Sequence, residues 1–181
     1  ISPTFGSGYD AEDFRVEEAP VPDPGPGQCL VRHVYLSLDP YQRPAMAGRH
    51  LTGRTPLGPG DMPMAEVVGQ VIRSRHPGFP EGSWVRHFGG WQEYSLSDGE
   101  RTAAVDPDRA PLSTWLGILG MPGLTAWASV SELARVQAGQ VVLVSAALGP
   151  VGSMVGQLSR ERGARVVGIA GSDGKCARLT A

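Results

Sequence analysis

The sequence predicts an α/β chain in which a turn-rich β portion precedes a strand–helix–strand unit. Three observations predict it. All prolines but Pro150 fall at or before Pro122, so turns crowd the front two-thirds and the tail is nearly proline-free. The front carries short β-branched and aromatic runs separated by Gly/Pro clusters. The tail carries two short apolar runs, 141–144 and 165–170, with a helical apolar period between them.

The elements follow in order. Phe14 to Glu18 alternates apolar and polar residues, as a strand does, and PVPDPGPGQ then breaks it with a loop. Cys29–Leu38 and Ala65–Ile72 read as strands rich in Val and Leu. Trp84–Phe88 and Trp91–Leu96 flank Gly89-Gly90, the pattern of a hairpin turn. Together these predict a small barrel-like β domain. The character changes near Gly117, where a glycine-rich bend leads into a helix with Ala126, Val130, Leu133 and Ala134 on one face. Val141–Val144 is fully apolar, as a parallel strand covered on both faces would be. In the helix Val151–Arg162, Val151, Met154, Val155 and Leu158 recur at i, i+3, i+4 and i+7. Arg165–Ala170 is the second buried strand, and Leu179 belongs to the start of a further helix.

Composition removes several classes. Of 181 residues, 41% are hydrophobic and 19% charged, which excludes a disordered chain. The net charge of −2, with acids and bases interspersed, excludes a nucleic-acid partner, which needs a basic face. No apolar run is long enough to span a bilayer, so no membrane partner is expected. Two cysteines, Cys29 and Cys176, are too few for a disulfide framework and point to a reducing, cytoplasmic compartment. The start, ISPTFGSGYDAEDF, has neither the basic nor the apolar region of a signal peptide and no initiator Met, so a trimmed front end is expected.

The chemistry concentrates where the first tail strand meets its helix. Ala146, Gly149 and Gly152 form AxxGxxG, a variant of the dinucleotide fingerprint with alanine at the first position. The context is the required one, after a strand and at the start of a helix. Gly149 lets the backbone approach a pyrophosphate, and the helix beginning near Val151 points N–H groups and its positive dipole end at that anion. Gly152 brings helix and strand together, and Gly156 extends the small-residue seam. At the end of the second strand, NAD enzymes carry an acid for the ribose 2′-OH. Here GIAGSDGK carries none at the strand end itself; Ser172 offers a hydrogen bond, Lys175 a charge, and Arg178 a second cation, while Asp173 is free to cap the following helix. That set favours NADP, and hence NADPH, over NAD.

SLDPYQR (37–43), GWQEY (90–94), LGILGMPGLTAW (116–127), VSAALGPVGSMVGQL (144–158) and VVGIAGSDGK (166–175) together carry a family resemblance over most of the chain. The chain resembles the zinc-independent medium-chain reductases of the leukotriene B4 dehydrogenase / prostaglandin reductase / alkenal double-bond reductase type. The resemblance implies a GroES-like β-barrel domain over residues 1–120 that handles substrate. It implies the first part of a Rossmann NADP-binding domain over 121–181. The implied activity is NADPH-dependent reduction of the C=C bond of a small enone or enal, with hydride to the β-carbon and a proton to the α-carbon. The implied roles place Gly149, Pro150, Val151 and Gly152 at the pyrophosphate, Ser172 and Lys175 at the 2′-phosphate, Met121 and Thr125 beside the nicotinamide, and Tyr41 in the substrate pocket. Trp91 is expected to pack in the core, and Arg43 is open between a substrate contact and a loop anchor. Homodimers are usual in the family.

The sequence departs from the family at Gln42 and Pro44, where Met and Gly are expected, at Ser83, where Asp is common, and at Pro150, which removes an N–H at the first helical turn. No catalytic metal is expected. Two cysteines cannot supply a four-cysteine cluster, PMAEVVGQV (63–71) has no His before Glu66, and His33, His50, His76 and His87 show no ligand spacing and read as surface or loop residues. A dinucleotide fold takes about six parallel strands, and two are read here. The expectation is therefore a longer enzyme whose remaining strands and catalytic tyrosine follow Ala181. A half-protein that complements a partner, and an enoyl reductase domain of a multidomain synthase, are the alternatives the residues leave open.

Overall fold

The computed structural model describes residues 11–46, 57–58 and 60–180. The chain divides into two compact units, Ile1–Leu112 and Ser113–Ala181.

Among the described residues, the first unit is built on five antiparallel strands, β1 (Cys29–Leu36), β2 (Glu66–Ser74), β3 (Trp84–Phe88), β4 (Tyr94–Ser97) and β5 (Ala103–Val105). They are ordered β4-β1-β2-β3-β5. A short helix, α1 (Gln42–Met46), follows β1. Along β3 and β4 every second residue turns inward, so Val85, His87, Ser95 and Ser97 are buried. Cys29, Val31, Val71 and Val85 form the core cluster, with Phe79 packed on it. Each buried valine stabilises the unit by about 1.5–3 kcal/mol before conformational entropy is set against it. The register of β1 against β2 shifts after Leu30 and again after His33. Gly69 lies opposite that second shift, where a Cβ would come 2.3 Å from the Arg32 carbonyl oxygen. Irregular pairing of this kind bends a sheet. The curl is strong enough that Ser95 Oγ of β4 lies 3.1 Å from His87 Nε2 of β3, although β1 and β2 separate the two strands in the sheet order.

Three expectations fail in this unit. Phe14–Glu18 forms no strand; Val16 is 96% exposed, and Phe14 instead stacks on Trp91 at 5.4 Å. Gly89-Gly90 does not close a hairpin, because β3 pairs with β2 and β5 while β4 pairs with β1. The connecting backbone finds its bonds elsewhere: Gly90 and Trp91 donate to Ala65 and Pro63 carbonyls at 3.1 and 3.0 Å. The histidines are not all surface or loop residues: His87 is 3% exposed inside the sheet and His33 sits on β1. His33 Nε2 lies 2.6 Å from Ser95 Oγ and its Nδ1 lies 2.6 Å from the Gln92 carbonyl oxygen. His87 and His33 each stand two residues after a buried valine, Val85 and Val31, so the strand period itself turns them inward. His76 is a loop residue, its Nδ1 accepting the Gly78 N–H, and His50 lies outside the described residues.

The second unit contains α2 (Met121–Ala128), β6 (Val141–Val144), α3 (Pro150–Glu161), β7 (Arg165–Gly168) and α4 (Asp173–Thr180). Strands β6 and β7 pair in parallel, Val141 opposite Arg165 through Val144 opposite Gly168. Val130, Val136 and Ala164 form the core, joined by Val142, Val155 and Leu158. The helical stripe of α3 thus faces the strands as its spacing predicts. The stripe of the preceding helix is only half right. Ala126 and Val130 are buried, but Leu133 is 81% exposed. A π-helical turn, Ser129–Leu133, follows α2, and Ala134 N–H reaches back to the Ser129 carbonyl at 2.9 Å. The wider turn rotates every later residue off the period. Arg162 fastens the end of α3 to this turn, donating to Val130 O at 3.1 Å and Ser131 Oγ at 2.6 Å. Val141 and Leu143 of β6 are exposed, so one face of the strand is covered by the described residues rather than both.

Candidate dinucleotide-binding site

The turn from β6 to α3 is shaped by contacts too close for side chains. A Cβ on Gly152 would lie 2.5 Å from the Ala146 carbonyl oxygen and 2.9 Å from Ala147 Cα, both backbone atoms. One on Gly149 would lie 3.1 Å from Ala146 O, and one on Gly156 would make only an ordinary contact, 3.8 Å from Val166 Cγ1. Gly152 is therefore required for the helix to start here, Gly149 is tightly placed, and Gly156 is dispensable for packing. Ala146, which takes the place of the first glycine, adopts φ 47°, a left-handed conformation in which a Cβ costs roughly 1–2 kcal/mol.

No side chain caps α3 at Gly149, and Pro150 occupies its first turn without an N–H. Ser153 N–H is bonded to the Gly149 carbonyl at 2.9 Å. The amides of Val151 and Gly152 come before it and point out of the helix terminus. A helix start that presents bare backbone at Gly149 and Gly152, with two forward amides and a positive dipole end, fits a pyrophosphate.

The end of β7 lies beside this turn. Ala147 N–H donates to Ile169 O at 3.0 Å, and Ile169 N–H donates to Val144 O at 2.8 Å, so the strand pairing continues into the glycine turn. Gly168 makes the approach possible, since a Cβ there would lie 2.9 Å from that of Ala147. In the sequence Gly168 stands out only as not an acid; its steric role depends on the parallel register. Beyond the strand, Ser172 caps α4, its Oγ accepting the Lys175 N–H at 3.4 Å while Cys176 N–H bonds to its carbonyl at 2.9 Å. Asp173 is the first residue of α4, so Ser172 takes the cap that sequence reading left to Asp173. The Ser172 hydroxyl keeps its proton for a ligand, and the Lys175 and Arg178 side chains are exposed one turn apart.

Met121 and Thr125 also lie one turn apart, on α2. Thr125 Oγ1 donates to Met121 O at 2.7 Å and lies 3.6 Å from Met121 Sδ, leaving its lone pairs as acceptors. In the other unit, Tyr41 immediately precedes α1 with its phenolic oxygen buried, and Arg43 is exposed. Trp91 is half-buried against Phe14. Burial pushes the Glu66 carboxyl above its usual range, even with the Arg86 guanidinium 2.8 Å away. Among the described residues no three His, Cys, Asp or Glu side chains gather as a metal site would require. No helix among them is long and apolar enough to cross a membrane.

A family described as the N-terminal domain of oxidoreductase matches residues 4–105. The NADPH-dependent curcumin reductase of Escherichia coli (strain K12) is 41% identical over 169 residues, which cover 93% of this chain and 49% of that protein. Prostaglandin reductase 1 of Bos taurus is 43% identical over 170 residues, covering 92% and 49%. The crystal structure of CurA in complex with NADPH from Vibrio vulnificus superimposes with a TM-score of 0.87 at 39% identity, covering 95% of this chain and 51% of that one. The chain spans about half the length of the curated relatives it matches.

Proposed function

The chain belongs to the oxidoreductase family whose N-terminal domain it carries, the zinc-independent medium-chain reductases of the prostaglandin reductase and alkenal reductase type, and from that premise we propose that the protein reduces the C=C bond of small enones or enals with NADPH. Residues 1–120 serve as a GroES-like, barrel-shaped substrate domain, and 121–181 open a Rossmann NADP-binding domain in a protein that works as a homodimer. The observation that carries this reading is the close start of α3 on the turn after β6, where Gly152 has no room for a Cβ, with the Val151 and Gly152 amides facing outward.

When bound, NADPH supplies the hydride for the β-carbon, and the α-carbon takes a proton. The chain's own residues bind and orient. Gly149 and Gly152 leave room for the pyrophosphate, and the α3 amides hold its charge. Lys175, with Ser172 beside it, meets the 2′-phosphate; Met121 and Thr125 lie by the nicotinamide; Tyr41 lines the substrate pocket.

The test is NADPH consumption with a panel of enones and enals, run in parallel with NADH. Consumption only with NADPH supports the reading; equal rates with NADH contradict it. Lys175→Ala is expected to weaken NADPH binding about 10- to 100-fold, the loss of one charge-assisted contact. NADH, which lacks the 2′-phosphate, should be unaffected. Fluorescence titration with both nucleotides checks this, and equal losses would remove Lys175 from the phosphate.

A further inference from the structure

Gln42 stands where the family resemblance implies methionine, a departure at the pocket. In the structure it is 4% exposed, and its amide is almost fully used. Oε1 accepts the Asp39 N–H at 3.2 Å. Nε2 donates both its protons, to Ser37 O at 3.0 Å and to Met64 O at 3.1 Å. The Gln42 N–H returns a bond to Asp39 O at 3.1 Å, closing the turn on itself, and Ser37 N–H is bonded to Glu66 O at 2.9 Å. One side chain thus binds the end of β1 and the start of α1 to the segment entering β2.

Tyr41 sits inside that clip, between Asp39 and Gln42, and its carbonyl accepts the Ala45 N–H at 3.2 Å. The backbone on both sides of the tyrosine is therefore fixed by Gln42. Only an amide of this length fits. Methionine offers no donor to two carbonyls, and glutamate offers an acceptor but no donor.

We propose that Gln42 is a positioning residue that sets the depth and orientation of Tyr41 and so the shape of the substrate pocket; this rests on the reading that Tyr41 lines that pocket. Gln42 touches no substrate itself.

The experiment uses the full-length protein and the variants Gln42→Met, Gln42→Glu, Tyr41→Phe and Tyr41→Phe with Gln42→Met. Loss of the clip is expected to raise KM for the enone about tenfold while NADPH affinity is unchanged. In the Tyr41→Phe background the same replacement should have a smaller effect, because the two residues act as one unit. A lowered Tm with unchanged KM and kcat, or full additivity with Tyr41→Phe, would overturn the proposal. If the variants do not fold, the wild-type protein decides it. Slow amide exchange at Asp39 and slow exchange of the Gln42 side-chain NH2 support the clip, and fast exchange at both overturns it. If the wild-type protein turns over no enone or enal, the functional reading fails first. The positioning role is then read from the fluorine resonance of 3-fluorotyrosine at Tyr41, assigned with Tyr41→Phe. A shift in Gln42→Met or Gln42→Glu supports it, and an unmoved resonance overturns it.

Discussion

Gly152→Val is expected to weaken NADPH binding by on the order of 100-fold in a protein that still folds. The reason is the 2.5 Å approach of a Cβ at this position to the Ala146 carbonyl oxygen. That oxygen belongs to a left-handed residue at φ 47° whose backbone has little freedom to retreat. The strain is relieved only if the start of α3 moves off the turn after β6, which carries the Val151 and Gly152 amides out of line. Gly156→Ala is the control. Its Cβ meets only Val166 Cγ1 at 3.8 Å, and alanine in a helix interior should add up to about 1 kcal/mol of stability. Titration with NADPH, with circular dichroism to verify the fold, separates the two variants. Unaltered affinity in Gly152→Val would show that the pyrophosphate does not rest on this terminus.

Acid should unfold the first unit through His87. Burial, reinforced by the neighbouring His33, pushes the His87 imidazole down to about 4 from its ordinary 6.5. The hydrogen bonds set which ring nitrogens carry the protons. The Gln92 carbonyl only accepts, so His33 Nδ1 carries the proton and its Nε2 accepts from the Ser95 hydroxyl. Ser95 Oγ is then left to accept the His87 Nε2–H. A second proton on His33 Nε2 would reverse that order, and burial also holds His33 below its usual range, against the pull of the Gln92 carbonyl.

The sign follows from proton counts. Between pH 6.5 and about 4 the unfolded chain protonates His87 and the folded one does not. Stability is fully present above 6.5 and is lost as pH falls toward 4, by roughly 3 kcal/mol from this group. The check is urea unfolding of wild type and His87→Gln at several pH values. The pH dependence of the wild type should exceed that of the variant by about this amount, and parallel curves would contradict the account.

What the sequence disclosed depended on how local the deciding contacts are. The α3 stripe, the β6 run and the glycine turn all lie within one strand–helix–strand unit. Their periods and spacing therefore placed Val155, Leu158 and Gly152 correctly. Distant contacts were not legible. The pairing of β4 with β1 depends on a connection whose N–H groups bond to Pro63 and Ala65 instead of to β3. Gln42 reads in the sequence as a departure from the family that reshapes the pocket, but its clip is not legible there because one of its partners, Met64, lies 22 residues away. The Ser95–His87 contact crosses a curled sheet, which no alternation rule reports. The π-helical turn after α2 shifted Leu133 to solvent through a single widened backbone bond at Ser129.

The most direct measurement is the fate of the hydride. The full-length protein is given an enone and NADPH deuterated at its transferable position, and the product is read by mass spectrometry and NMR. The expected product is a saturated ketone with one deuterium on the carbon β to the carbonyl. Deuterium on the carbonyl carbon of an allylic alcohol, or an enone returned unchanged, would contradict it.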